Sequence, residues 1–102
     1  MHIHYISEQN SILNRFLAQI RDVNIQNDSM RFRKNIERIG EIMAYELSKT
    51  LDYKEIDVQT PLGIKHTTTI AEPVVLCSIL RAGLALHQGF MSFFDNAENG
   101  FV

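Results

Sequence analysis

The sequence is poor in the features that announce most chemistries. Its single cysteine, Cys77, excludes an intrachain disulfide framework and fits a reducing compartment. No CxxC, HExxH or GxSxG motif and no glycine-rich phosphate loop occurs, so the usual redox, zinc-protease, serine-hydrolase and nucleotide signatures are missing. Positive charge is not in excess. Ten Lys and Arg against twelve Asp and Glu give a net charge of −2, which argues against bulk binding to nucleic acid or an anionic membrane. The longest apolar run, near residues 73–80, falls far short of the ~20 residues that span a bilayer. The start, Met1-His2-Ile3-His4-Tyr5-Ile6, lacks a basic segment before a long apolar stretch, so no signal peptide is expected. The expected setting is cytoplasmic.

What remains is ordinary globular material. Hydrophobic residues make up 45% of the 102 residues and charged ones 22%, which suits one domain or part of one. There is no internal repeat or low-complexity tract. Residues 2–6 alternate weakly and predict a short strand with His2 and His4 on one face. A solvated terminus is the favoured reading over a metal site, because no second ligand cluster is visible. Asn10 or Ser11 then caps a helix with Ile12, Leu13, Phe16, Leu17 and Ile20 as its apolar stripe. It ends at Arg21-Asp22-Val23-Asn24. Asn27 or Asp28 opens a longer helix over roughly residues 29–50, with Phe32, Ile36, Ile39, Met43 and Leu47 expected to be buried. Its basic first half reads as a solvated face, with Arg33–Glu37 and Arg38–Glu41 at pairing distance.

Ile56 and Val58 alternate with polar residues and predict a half-exposed strand. Pro61-Leu62-Gly63 turns the chain, and the β-branched stretch 64–70 returns, completing a β-hairpin. So thin a hairpin needs a core or a partner chain to lie on. His66 is expected to be an exposed hairpin residue. Next, Pro73-Val74-Val75-Leu76-Cys77-Ser78-Ile79-Leu80 reads as a fully buried strand. Cys77 within it is expected to be buried and inert. A helix follows over about residues 84–94, apolar nearly all round and deeply packed. Gly89 at its middle costs ~1 kcal/mol against alanine, which implies a close backbone contact. His87 reads as a packed or capped histidine. Residues 95–100 form a turn, and Phe101-Val102 starts another strand.

Between the buried strand and that helix stands Arg81-Ala82-Gly83. In α/β folds, ligands sit where strands end and helices begin. The guanidinium is a planar, permanently charged fork suited to phosphate oxygens. The amides of Ala82, Gly83 and Leu84 would point from the helix start toward the same place, and Gly83 would admit a bulky anion close to the backbone. On spacing alone a plain turn is the readier reading and an anion site the sharper one.

The stretch Ile79-Leu80-Arg81-Ala82-Gly83-Leu84 resembles the Ile-Leu-Arg-Ala-Gly segment of the uracil phosphoribosyltransferase family. Upstream, Ile20-Arg21-Asp22-Val23-Asn24, Phe32-Arg33, Met43-Ala44-Tyr45-Glu46 and Thr60-Pro61-Leu62 follow the family's order. The resemblance implies an α/β, type I phosphoribosyltransferase fold, a Rossmann-like parallel sheet. N-terminal helices (1–52), a β-hairpin (53–71) and the first buried strand–helix unit (72–102) are present, and the fold is incomplete. It implies the reaction of uracil with 5-phosphoribosyl 1-pyrophosphate to give UMP and pyrophosphate. Mg²⁺ is implied for the complete enzyme, with no ligands in this chain. Arg81, Ala82 and Gly83 would bind the pyrophosphate of the donor. A homodimer or higher oligomer is expected, with no nucleic acid and no membrane as partners.

The departures carry as much weight. The family's Asp-Pro-x-x-Ala-Thr-Gly-Gly type donor loop, its second donor-binding arginine and its uracil-reading Gly-Asp-Ala region are absent. The chain resembles about the first half of a family member, so alone it is expected to be inactive. The alternative of a different class is a non-catalytic assembly or regulatory module on the same scaffold. A third reading keeps the fold and changes the base to another pyrimidine or a purine.

Overall fold

Helix capping sets the first half of the molecule. The computed structural model describes residues 2–102; Met1, counted above in the N-terminal segment, lies outside them. Residues 2–5 form no strand, and a 3-10 turn at Ile6–Glu8 follows. The weak alternation of His2 to Ile6 finds no second strand to pair with, so the expected strand is not formed. Ser11 Oγ accepts from the Leu13 amide at 3.2 Å in the turn ahead of α1 (Leu13–Arg21), whose N-cap, Ile12, carries no side-chain cap. Asp28 accepts from the Arg31 amide at 3.1 Å and starts α2 (Ser29–Ser48). Such a cap stabilises a helix by about 1 kcal/mol.

The second half comprises β1 (Tyr53–Thr60), β2 (Gly63–Ile70), β3 (Val75–Ser78), α3 (Leu84–Phe93) and β4 (Glu98–Phe101). Strands β1 and β2 pair antiparallel, from Tyr53 opposite Ile70 to Thr60 opposite Gly63, around Pro61 and Leu62. At the tip, Thr60 Oγ1 donates to the Gly63 carbonyl oxygen at 2.6 Å and accepts from the Leu62 amide at 3.2 Å. His66 is exposed, as expected, and pairs across the strands with Asp57. The hairpin's base is tied down: Ala71 N donates to Asp52 O at 2.8 Å, and Tyr53 Oη donates to Ser48 O at 2.8 Å. Strands β3 and β4 run parallel in register Val75–Glu98 through Ser78–Phe101, with α3 as the crossover between them. This is one strand–helix–strand unit of a parallel sheet. Among the described residues no helix is long and apolar enough to cross a membrane.

The core lies where α2 meets α1 and α3. Leu13, Ile39 and Ala44 are its buried apolar residues. The face of α2 that is buried differs from the one the apolar spacing predicts. Asn35, Ile39, Gly40 and Ala44 are buried, while Phe32 and Leu47 are 38% and 47% exposed. Small residues explain the rotation. A Cβ on Gly40 would lie 2.6 Å from the Leu86 carbonyl oxygen. One on Gly89 would overlap the Glu37 carbonyl oxygen and sit 2.9 Å from the Glu41 amide nitrogen. The two helices therefore touch backbone to backbone, and the face that allows this contact is the glycine face. The close contact expected at Gly89 is this one. Asn35 is buried with both polar atoms partnered: its Nδ2 donates to Gln19 Oε1 at 2.7 Å and its Oδ1 accepts from Arg38 at 3.0 Å.

The expected ion pairs of α2 also differ. Arg38 reaches back to Asn35 and lies 5.5 Å above the Phe16 ring rather than meeting Glu41. Lys34, not Arg33, pairs with Glu37, at 3.1 Å. The stretch 73–80 is corrected most. Only Val75–Ser78 is strand, its residues alternate between exposed and half-buried, and Val75, Ile79 and Leu80 are 64%, 72% and 48% exposed. A run that reads as buried on both faces has here one neighbouring strand and one helix, so one face and one edge stay open. Helix α3 is likewise half covered, with Leu84 and Phe93 about half exposed and only His87 and Gly89 buried.

Candidate functional site

The segment between β3 and α3 is held at both ends by backbone bonds. Val102 N donates to Ser78 O and Leu80 N donates to Val102 O, each at 2.9 Å, so the exit of β3 is fastened to the end of β4. Gly83 N donates to Ile79 O at 2.9 Å and closes the loop on itself; Leu84 N donates to Arg81 O at 3.1 Å. The Leu80–Arg81 peptide is cis. Within this frame Arg81 and Ala82 are exposed and Gly83 is half-buried. Among the described residues no carboxylate pairs with Arg81, so the guanidinium is open to an incoming anion.

The three residues named from the sequence therefore stand together on one exposed turn, but two of the expected details change. The amides of Gly83 and Leu84 are spent on carbonyls of the loop itself, so they do not point at a common ligand. Gly83 has a second reason to be glycine: a Cβ there would lie 3.0 Å from Ile79 O and 3.4 Å from Ser78 Cβ. The tightness serves the loop's own closure. Cys77 is exposed rather than buried, because β3 is open on that face.

Beneath the loop is a polar group that periodicity could not assemble. His87 is 3% exposed, with Nδ1 at 2.6 Å from Ser78 Oγ and Nε2 at 2.8 Å from Asn99 Oδ1. It is the packed histidine that the apolar helix implied. Its partners come from β3 and β4, and the pairing of those strands is what brings them together. Asn99 was expected in a turn, whereas it stands in β4 opposite Leu76. No local signal links residues 78, 87 and 99; only the strand–helix–strand crossover does. Among the described residues no group of three or more His, Cys, Asp or Glu side chains is gathered to hold a metal ion.

Comparison with known proteins bears on the family and the fold. The family model described as Uracil phosphoribosyltransferase matches residues 6–102. The uracil phosphoribosyltransferase of Porphyromonas gingivalis is 50% identical over 102 residues, all of this chain and 47% of that protein. That of Thermococcus gammatolerans is 36% identical over 100 residues, 96% of this chain and 44% of the relative. Among solved structures, the AQ2163 protein from Aquifex aeolicus superposes with a TM-score of 0.75 at 26% identity, over 91% of this chain and 44% of that one. The chain thus spans about half the length of the curated relatives it matches.

Proposed function

From a chain that belongs to the uracil phosphoribosyltransferase family, we propose that the loop Arg81-Ala82-Gly83 meets the pyrophosphate end of 5-phosphoribosyl 1-pyrophosphate in the conversion of uracil to UMP. The observation that carries this reading is the exposed Arg81 at the strand-to-helix turn, with no carboxylate partner among the described residues. In the transfer, the bond from ribose C1 to the pyrophosphate oxygen breaks, and negative charge accumulates on the leaving group. A guanidinium fixed at that end stabilises the charge more as it develops than in the bound donor, which lowers the barrier. Ala82 and Gly83 shape the turn that presents it.

Mg²⁺ belongs to the complete enzyme in this reading; among the described residues no group of three or more His, Cys, Asp or Glu side chains is gathered to hold it. The setting is cytoplasmic in this reading, which the exposed lone thiol supports. Neither nucleic acid nor a membrane is a partner, in keeping with the net charge of −2. Copies of the chain associate, as its open strand and helix faces favour. Calorimetric titration with inorganic pyrophosphate tests the site: the wild-type chain binds, and Arg81→Ala weakens binding at least tenfold. Equal binding by both proteins would refute the assignment.

A further inference from the structure

His87 is a buried ionisable side chain that the anion reading leaves without a task. Asn99 Nδ2 donates to the Ala97 carbonyl oxygen at 3.3 Å, which leaves Oδ1 facing the ring. That orientation of Asn99 assigns the tautomer in which Nε2–H donates to Asn99 and Nδ1 accepts from the Ser78 hydroxyl. Neutral imidazole satisfies both neighbours at once. Phe101 covers the ring, with centroids 4.9 Å apart and planes tilted by 35°.

The three bonded residues sit at the attachments of the Arg81 loop. Ser78 ends β3 directly before it. His87 lies in the first turn of α3 directly after it, with its own amide donating to Gly83 O at 2.9 Å. Asn99 belongs to β4, whose end holds Leu80 through Val102. We propose that His87 is a positioning residue: by joining β3, α3 and β4 beneath the loop, the Ser78–His87–Asn99 chain fixes the backbone from which Arg81 reaches its anion. Imidazole suits the task because it accepts on one side and donates on the other in a buried place. An apolar side chain would break both bonds and leave the half-buried Ser78 hydroxyl without its partner, while the exposed Asn99 amide would turn to water. The link to anion binding rests on the proposed function; the link to loop order does not.

Hydrogen exchange followed by NMR on the whole chain separates the two. In His87→Leu the amides of Leu80 and Gly83 exchange roughly tenfold faster or more, while those of α1 and the β1–β2 hairpin stay within about twofold. His87→Gln, whose amide both accepts and donates, returns the loop amides to within roughly threefold of the wild type. Unchanged loop amides in His87→Leu overturn the proposal, as does equal acceleration throughout the chain. Should His87→Leu not fold, Ser78→Ala and Asn99→Ala take its place with the same local pattern expected. Pyrophosphate affinity is expected to fall about tenfold in His87→Leu and to recover in His87→Gln. If Arg81→Ala abolishes binding and His87→Leu leaves it intact, the positioning role is refuted. If Arg81→Ala changes nothing, the anion site is refuted, and the exchange pattern still decides what His87 does.

Discussion

A guanidinium with no carboxylate beside it keeps its full attraction for an anion, and Arg81 is in that condition among the described residues. What distinguishes arginine here is the fork: two parallel N–H donors match two phosphate oxygens, which a lysine ammonium cannot do. Arg81→Lys should therefore bind pyrophosphate more weakly than the wild type but better than Arg81→Ala. Charge-assisted hydrogen bonds of about 1.5–3 kcal/mol correspond to a loss between roughly tenfold and a hundredfold for the alanine variant. Calorimetry at fixed ionic strength reads the order directly, and equal affinities for the lysine and alanine variants would remove the fork from the account. At this scale the sequence was informative about identity and silent about surroundings. Arg81 stood out because it follows an apolar run and precedes a helix. That the Gly83 amide closes onto Ile79, and that His87 joins Ser78 to Asn99, depend on contacts between segments that no window of the sequence contains.

Elements tell a similar story with a different cause. The cap at Asp28 and the hairpin could be read from local chemistry, because side-chain caps, turn residues and β-branched runs act over a few positions, whereas three of the four residues of β4 (Glu98–Phe101) read as a turn. The facing of α2 could not. Its apolar residues Phe32, Ile36, Ile39, Met43 and Leu47 form a regular row, yet the contact with α3 is set by Gly40 and Gly89, which a hydrophobicity pattern counts for little. Gly89→Ala separates the two influences. Helix propensity alone predicts a gain of up to about 1 kcal/mol. Overlap of the new methyl with the Glu37 carbonyl oxygen predicts a net loss, on the order of 1–3 kcal/mol, as in other overpacked cores. Urea denaturation monitored by circular dichroism gives the sign, and a stabilised variant would mean that the helices do not meet at these glycines. Asp28→Ala is a milder control, expected to cost about 1 kcal/mol through loss of the α2 cap.

The whole molecule is more open than its length warrants. Its radius of gyration is 16.7 Å, against about 13 Å for a compact domain of ~100 residues. Its accessible surface of 8114 Å² exceeds the ~5,900 Å² usual for a folded monomer of 11.7 kDa by about 2,200 Å². That excess is the size of a large protein interface, and it includes the apolar side chains of Val75, Ile79, Leu80, Leu84, Phe93 and Phe101. The isolated chain should therefore self-associate at micromolar concentration, which sedimentation velocity would show as species heavier than 11.7 kDa; a clean monomer across that range would contradict this. The buried strand expected from residues 73–80 is half exposed for the same reason: a sequence records the environment of a strand in a full sheet, and among the described residues only β4 is beside it. The same incompleteness predicts no detectable UMP formation by the 102-residue chain alone. The central claim is that this chain supplies the pyrophosphate-binding loop of a uracil phosphoribosyltransferase site. Its most direct test is to put residues 1–102 in place of the matching stretch of the Porphyromonas gingivalis relative and to assay UMP formation from uracil and 5-phosphoribosyl 1-pyrophosphate. The account predicts an active chimera whose turnover falls roughly 100- to 1,000-fold in Arg81→Ala. A folded chimera without turnover, or one indifferent to the loss of Arg81, would contradict it.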